Sequence, residues 1–171
     1  MTIQAVSSLE KAAILGGPPA VTLQHLQDWP MVSEEEIMAV TALMRKGILS
    51  VYDRSGPIAE FEDAFAAYHG TRYALTHSSG TSALHAAFFA VGIGPGDEVI
   101  APTYTFLATV VPILQCNGIP VLCDMDLETL TIEPEDIRRN ITPQTRAIVV
   151  THIWGHPAEM DEIITIAKEY R

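Results

Sequence analysis

From Arg72 onward, short apolar runs alternate with segments of helical periodicity, and this alternation limits the possible folds more than any other feature. The apolar runs predict strands over about 72–76, 98–101, 119–123 and 146–151. The other segments predict helices over about 81–91, 106–116, 134–140 and 157–169. Strands separated by helices of this length indicate an α/β fold, in which helices pack on a mainly parallel sheet.

Two further helices are predicted before this region. Ser33 and Glu36 have the spacing of a capping box, which predicts a helix that runs until Gly47. Pro57 is suited to the first turn of a second helix, and Gly70 is suited to its end. The apolar residues of this second helix share a face that we expect to be core: Ile58, Phe61, Phe65 and Tyr68.

Length and charge limit the class of protein. A chain of 171 residues, 48% of them apolar, suits one folded domain and argues against intrinsic disorder. The formal net charge of -11 leaves no basic stripe for phosphodiesters, so we expect neither nucleic acid nor an anionic membrane as the main partner. Any bound phosphate should be small and locally held.

The sequence also predicts a cellular location. Cys116 and Cys123 are too few for a secreted disulfide scaffold. No apolar run approaches the roughly 20 residues of a membrane span. Residues 1–15, which we interpret as a loose N-terminal arm, lack the apolar stretch of a signal peptide. We therefore expect a cytoplasmic protein.

Four loops are the places to look for a ligand, because crossover loops and helix N-termini converge beyond the carboxyl ends of parallel strands. The loops are 77–82, 102–106, 124–126 and 152–156. In the first, Gly80 lets a ligand approach the backbone, and the hydroxyls of Thr81 and Ser82 lie beside the N–H groups of a first helical turn. This arrangement suits a phosphate monoester, and an ordinary helix N-cap is the alternative.

Other phosphate and nucleophile motifs are excluded by inspection. No Gly-Lys-Ser/Thr sequence occurs, so the chain has no P-loop. The glycine cluster at 92–96 precedes a predicted strand, whereas a dinucleotide fingerprint follows one, so we interpret it as a helix-to-strand turn. The 77–82 loop also lacks the Gly-x-Ser-x-Gly pattern of a serine hydrolase.

The remaining polar and aromatic segments leave alternatives open. Tyr104 and Phe106 follow the second predicted strand, where they either stack on a planar heterocycle or belong to the core. Residues 124–126 favour a turn over a metal pair, because further ligands at suitable spacing are missing. Residues 53–56, which include Ser55, suit either a substrate contact or a solvated turn.

Two histidines follow the last predicted strand. On a helix, His152 and His156 would share a face and could bind zinc, but Gly155 and Pro157 oppose a helix there. We therefore predict no metal site. A strand-end histidine that positions a ligand is the preferred interpretation of His152.

Seven segments, in this order, resemble the DegT/DnrJ/StrS family of sugar aminotransferases, which use pyridoxal 5′-phosphate (PLP) and belong to fold type I. The segments are Gly56-Pro57 with Phe61-Glu62, 79–84, 94–100, 102–109, 124–126, 141–143, and 152–157 with Met160-Asp161. Each is short, but their number and order are specific. The resemblance implies that residues 16–171 form the N-terminal part of a PLP-binding large domain.

The resemblance also implies roles for individual residues. In the family, the segment matching Gly80-Thr81-Ser82 holds the cofactor phosphate at a helix N-terminus, and the aromatic matching Phe106 stacks on the pyridine ring. We add His152 as a third cofactor contact. Ser55 and Tyr104 are the candidate substrate contacts.

The chain departs from the family pattern in its catalytic groups. Such enzymes need a lysine for the Schiff base and a carboxylate against the pyridine nitrogen. In the family both lie downstream of the segment matching 158–171. The lysines of this chain, Lys11, Lys46 and Lys168, all lie outside the four ligand loops. We therefore expect no catalytic residue in this chain.

These points predict one half of a split aminotransferase, which shares PLP with a partner chain that carries the lysine, the aspartate and the C-terminal half. We expect a heteromer built on a family-type dimer, which moves an amino group from glutamate or glutamine to a keto-sugar or keto-cyclitol. The alternatives are a non-catalytic regulatory or binding subunit, a truncated fragment, and a PLP-dependent sugar dehydratase.

Overall fold

The computed structural model describes residues 11–19, 30–48, 50 and 52–170. The chain divides into two compact units, residues 1–54 and 55–171, and each is described by itself. The predicted arm falls mostly outside the described residues, although a short 3₁₀ turn forms over Ala13–Leu15. None of the described helices has the length and apolar composition that a membrane span requires.

The first unit contains helix α1, Glu34–Arg45, which begins as the sequence predicts. The Ser33 N–H donates to Glu36 Oε2 over 2.6 Å, and the Glu36 N–H donates to Ser33 Oγ over 3.2 Å. These two bonds form the predicted capping box, and they also hold the pKa of the Glu36 carboxyl below its usual value. The helix ends two residues before Gly47, which has φ +71°.

The second unit is the predicted α/β structure. Its helices are α2 Gly56–His69, α3 Gly80–Ala90, α4 Val111–Gln115, α5 Pro134–Asn140 and α6 Met160–Glu169. Its strands are β1 Glu98–Pro102, β2 Ile119–Cys123 and β3 Thr145–Ile148. They form one sheet in the order β2-β1-β3, and both pairs are parallel. The parallel α/β prediction is therefore confirmed.

Strand β1 lies at the centre of the sheet and separates two hydrophobic clusters. Ile100 packs on the side of α5 and α6, whereas Val99 and Ala101 pack on the side of α3 and α4. Alternate side chains of a strand point to opposite faces, so one buried strand contributes to both layers. Each of the fully buried Val99 and Ile100 side chains contributes roughly 1.5–3 kcal/mol through the burial of apolar surface.

The predicted strand over 72–76 is not formed. Tyr73 and Leu75 in this segment are 72% and 75% exposed. A strand requires a neighbour that completes its ladder of hydrogen bonds, and none of the described segments pairs with this one. The segment is instead joined to α2, because Glu62 Oε1 accepts hydrogen bonds from the Thr76 N–H and hydroxyl over 2.9 and 3.0 Å.

The apolar face of α2 is not core, contrary to the prediction. The four residues are between 41% and 85% exposed: Ile58, Phe61, Phe65 and Tyr68. Within the described part of its unit, no element covers this face. The buried residue of the helix is the acidic Glu62, which is 5% exposed.

Two predicted helices are shorter than expected. The 106–116 segment divides into a 3₁₀ turn over Leu107–Thr109 and α4, which has Pro112 in its first turn. The 157–169 segment becomes helical only at Met160, because the Ala158 N–H donates to the His152 side chain. Strand β3 also ends early, at Ile148, although the Val149 N–H still donates to the Ile100 carbonyl.

Candidate active site

Hydrogen bonds join the loop after β1 to the end of β2 and to the segment after β3, at the carboxyl edge of the sheet. The Thr103 N–H donates to the Cys123 carbonyl over 2.9 Å, which joins the ends of β1 and β2. The hydroxyls of Thr105 and Thr151 lie 2.9 Å apart, which joins the loop after β1 to the segment after β3. Three of the four predicted loops therefore lie at one edge.

The N-terminus of α3 forms a capping box made of two serines. The Ser82 N–H donates to Ser79 Oγ over 3.1 Å, and Ser82 Oγ accepts from the Ser79 N–H over 3.1 Å and donates to its carbonyl over 2.9 Å. Ser79 and Ser82 therefore cap the helix, and the phosphate contact at Gly80 and Thr81 stays a prediction. Ser79 satisfies one first-turn donor, whereas the N–H groups of Gly80 and Thr81 have no carbonyl partner within the helix.

The space at Gly80 is open. A Cβ built on this glycine meets no atom within 4 Å, so the packing of the described chain does not itself require glycine here. A small anion could therefore approach the first turn of an eleven-residue helix, whose dipole favours negative charge. The residues at this helix end fit a phosphate group in size and charge.

The two aromatic side chains after β1 do not belong to the core. Phe106 is 79% exposed and Tyr104 is 40% exposed. The core alternative for this pair is therefore wrong. An exposed ring at the end of a central strand can stack on a planar heterocycle, so the stacking role of Phe106 stays a prediction that the geometry permits.

His152 is held in a defined orientation. Its Nδ1 accepts a hydrogen bond from the Ala158 N–H over 3.0 Å. The hydrogen-bond pattern therefore assigns the proton of a neutral imidazole to Nε2. A 3₁₀ turn over Ile153–Gly155, with Trp154 at φ 55°, separates this residue from His156. The two histidines are therefore not on one α-helix, as the sequence predicts. His152 is exposed, so Nε2 can donate to a ligand.

The turn interpretation of residues 124–126 is confirmed. Asp126 Oδ1 accepts from the N–H groups of Glu128 and Thr129 over 2.9 and 2.7 Å. The hydrogen bonds from Thr129 lower the pKa of the Asp126 carboxyl. The described residues hold no group of three or more His, Cys, Asp or Glu side chains that could bind a metal ion.

The other predicted contact and the lysines lie elsewhere. Ser55 precedes α2, and its side chain does not cap that helix. Lys168 is in the last turn of α6, about 12 Å along the axis from the first helical residue, Met160. Lys46 follows the last residue of α1, in the first unit. In the described chain, the loops that carry Phe106 and His152 therefore lie together. Lys168, the lysine of the second unit, is not part of either loop.

Sequence reasoning missed the threonine hydroxyls that link these loops. Thr105 Oγ1 lies 2.7 Å from Thr109 Oγ1 and 2.9 Å from Thr151 Oγ1. The four-residue spacing of the first two could have indicated a contact across one turn. No local signal connects Thr105 with Thr151, because 46 residues separate them.

The sequence model of the DegT/DnrJ/EryC1/StrS aminotransferase family matches residues 30–171. The chain is 42% identical to GDP-perosamine synthase of Caulobacter vibrioides over 113 residues, 66% of this chain and 30% of that protein. It is 39% identical over 142 residues to the spore coat polysaccharide biosynthesis protein SpsC of Bacillus subtilis, 82% of this chain and 36% of that protein. It thus spans about a third of the length of these curated relatives, their N-terminal third.

Two solved structures are also similar to this chain. An aminotransferase from Psychrobacter cryohalolentis is similar with a TM-score of 0.79 and 33% identity, over 84% of this chain and 36% of that one. NtdA from Bacillus subtilis, solved with the bound cofactor PMP, has a TM-score of 0.72 and 33% identity, over 81% of this chain and 32% of that one.

Proposed function

Because this chain belongs to the DegT/DnrJ/EryC1/StrS aminotransferase family, we propose that it forms the cofactor-binding part of a sugar or cyclitol aminotransferase. The amino donor is glutamate or glutamine, and the acceptor is a keto-sugar or keto-cyclitol. The observation that carries this proposal is that the exposed ring of Phe106 and the oriented His152 lie at one edge of the sheet. The family match, which covers most of the chain, identifies the kind of enzyme.

The residues of this chain bind and orient the cofactor in this proposal. Bound PLP supplies an electron sink for cleavage and formation of bonds at the carbon that carries the amino group. The N–H groups of Gly80 and Thr81 would hold its phosphate, with the Ser82 hydroxyl beside them. The Phe106 ring would stack on the pyridine, and the Nε2–H of His152 would donate a hydrogen bond to the cofactor.

The lysine and the pyridine-nitrogen carboxylate come, in this proposal, from a complementary polypeptide that corresponds to the remaining two-thirds of the relatives. One observation supports it: the sheet has an edge, at β3, that is suited to accept a further strand.

The two sheet edges differ in their hydrogen-bonding capacity. In β2, the Ile119 N–H donates toward β1, so Pro120 has its nitrogen on the outer side, where it offers no donor. In β3, the Val149 N–H donates toward β1, so Ile148 presents its N–H and C=O outward. Proline is typical of edge strands, so β2 is suited to end the sheet and β3 to continue it.

The open edge of β3 adjoins an apolar groove. A cavity of about 820 Å³ lies between β3 and α6, and its apolar lining includes Ile148, Met160, Ile163, Ile164 and Ala167. A strand with apolar side chains on one face could fill this groove and pair with the outward backbone groups of β3. This surface is the proposed docking site for the complementary polypeptide.

A reconstitution experiment tests the proposal. The chain is co-expressed with the part of SpsC that lies beyond the matched third, and the purified assembly is assayed for bound PLP and for transamination from glutamate to a nucleotide-linked keto-sugar. We expect both properties in the assembly and neither in this chain alone. Equal activity of the SpsC part without this chain would refute the proposal.

A matched pair of variants tests the docking surface. Ile164 in the groove is 43% exposed, and Leu122 on the opposite edge is 53% exposed, so a glutamate is similarly tolerated by the fold at both positions. Ile164→Glu should abolish co-purification with the SpsC part, whereas Leu122→Glu should leave it intact. Loss with both variants, or with neither, would contradict docking at β3.

The proposed location is the cytoplasm. Cys116 and Cys123 are both buried and unpaired. Burial, followed by the nearby Asp136 carboxylate, raises the pKa of the Cys123 thiol to about 11. Two buried cysteines without a disulfide agree with a compartment in which disulfides do not form.

A further inference from the structure

Three threonine hydroxyls form a connected network beneath the two loops that carry the proposed ring contacts. Thr105 Oγ1 is the central atom, because it lies within hydrogen-bond distance of Thr109 Oγ1 at 2.7 Å and of Thr151 Oγ1 at 2.9 Å. A hydroxyl offers one donor and two acceptor positions, so Thr105 can satisfy both neighbours at once. Thr109 is 8% exposed, which places this end of the network in the interior.

The network lies next to both proposed ring contacts in the sequence. Thr105 immediately precedes Phe106, and Thr151 immediately precedes His152. The network therefore links the two loops through side-chain hydrogen bonds, one residue away from each exposed ring. Fixed neighbours of this kind reduce the conformational freedom that a ligand would otherwise have to remove on binding.

We propose that Thr105 is a positioning residue, which holds the Phe106 loop and the His152 loop in one arrangement for a planar heterocyclic ligand. The inference rests on the proposed function for the identity of that ligand as PLP. It adds that the two contacts are coupled through Thr105 and are set before the ligand binds. Thr105 itself makes no contact with the ligand in this proposal.

Three variants separate positioning from general stability. Thr105→Val removes the hydroxyl and keeps the β-branched shape, whereas Thr105→Ser restores the hydroxyl. Thr131→Val is the matched control, because its hydroxyl lies 3.0 Å from that of Thr129 in a buried position outside the network. A purely structural role of Thr105 would make its valine variant behave like the control.

Amide hydrogen exchange gives a readout that needs no cofactor. The Thr109 N–H donates to the Phe106 carbonyl, and the Ala158 N–H donates to His152 Nδ1, so each reports on one loop. In Thr105→Val, both amides should exchange about fivefold to tenfold faster relative to Val121 in β2, which corresponds to the loss of one net hydrogen bond. Thr105→Ser should match the wild type, and Thr131→Val should leave both ratios unchanged.

Cofactor affinity gives the second readout, measured with PLP on the assembly of this chain and the SpsC part. Thr105→Val should raise the Kd for PLP about fivefold and change the circular dichroism of the bound ring, with recovery in Thr105→Ser. Faster exchange at Thr109 alone, without Ala158, would overturn the coupling. An unchanged Kd would overturn the positioning role, whereas a wild-type assembly that binds no PLP would overturn the proposed function.

Discussion

Glu62 shows how one side chain can hold in place a segment that has no secondary structure. Its carboxylate is 5% exposed and accepts two hydrogen bonds from Thr76, three residues before the N-cap of α3. An apolar residue would be the ordinary choice for a buried helix position. The segment over 72–76 has no neighbouring strand, and the Glu62 carboxylate supplies hydrogen bonds to it instead. These bonds also hold the chain in position three residues before Ser79.

Replacement of Glu62 should be costly for stability. Glu62→Leu leaves the Thr76 N–H and hydroxyl without this acceptor, and we expect a loss of about 1–3 kcal/mol in the free energy of unfolding, measured by urea denaturation. Thr76→Val removes one of the two bonds and should cost less. A neutral effect of Glu62→Leu would show that the buried carboxylate does not stabilise the segment.

Loss of the Ser79 cap should weaken α3 in a similar, local way. Ser79→Ala removes the acceptor of the Ser82 N–H, and we expect a destabilisation of about 1 kcal/mol, seen as a lower Tm. Ser78→Ala is the control, because the Ser78 hydroxyl makes only a long 3.4 Å contact with Ser82 Oγ. Equal Tm losses in the two variants would argue against the capping contribution.

At the scale of elements, the sequence predicts best those segments whose pattern is satisfied within the chain itself. Strand β2 and helix α5 match their predictions at both ends, because each has its apolar pattern and its turn residues within a few positions. The 72–76 strand and the buried face of α2 could not be predicted correctly, because both depend on neighbours that the described chain does not supply. The contact between Thr105 and Thr151 could not be predicted from the sequence, because it depends on the register of the two strands that precede them.

The junction between β2 and α5 should respond to acid. The Asp136 carboxylate accepts from the Asp124 N–H over 2.8 Å and from the Arg139 side chain, and these bonds lower its pKa below the ordinary 3.8. A carboxyl whose pKa is lower in the folded state stabilises that state above the unfolded pKa and loses this effect as the pH falls through the folded pKa.

Asp136→Asn should therefore reduce the acid sensitivity of the fold. We expect the variant to be less stable than the wild type at pH 7 and to lose less stability on acidification from about pH 4 downward. The measurement is urea denaturation at a series of pH values. Parallel curves for the two proteins would show that Asp136 does not contribute to acid unfolding.

At the scale of the whole molecule, apolar surface is exposed in a way that agrees with an assembly. The face of α2 and the groove beside α6 both present large apolar side chains to solvent, including Phe61, Phe65 and Ile164. Contiguous apolar patches on a soluble surface commonly mark interaction sites. The fold class and the four ligand loops follow from the sequence, whereas only the structure identifies the face of α2 and the groove beside α6 as the exposed apolar surfaces.

The isolated chain should bind a hydrophobic dye such as ANS, and the assembly with the SpsC part should bind less of it. Ile164→Glu should lower the fluorescence of the isolated chain by reducing the apolar surface of the groove. Tyr170, which also lines the groove, offers a second reporter through its ultraviolet absorbance. Equal dye binding by the isolated chain and the assembly would argue that the groove remains open.

The proline in β2 also affects how copies of this chain could pack against one another. Stacking that joins β3 of one copy to β2 of the next would lose a backbone hydrogen bond at Pro120 in every repeat. Endless edge-to-edge growth into fibres is therefore opposed at one side of the sheet, while the other side stays open for a single addition. A sheet with these two unlike edges can be extended once without becoming a template for polymerisation.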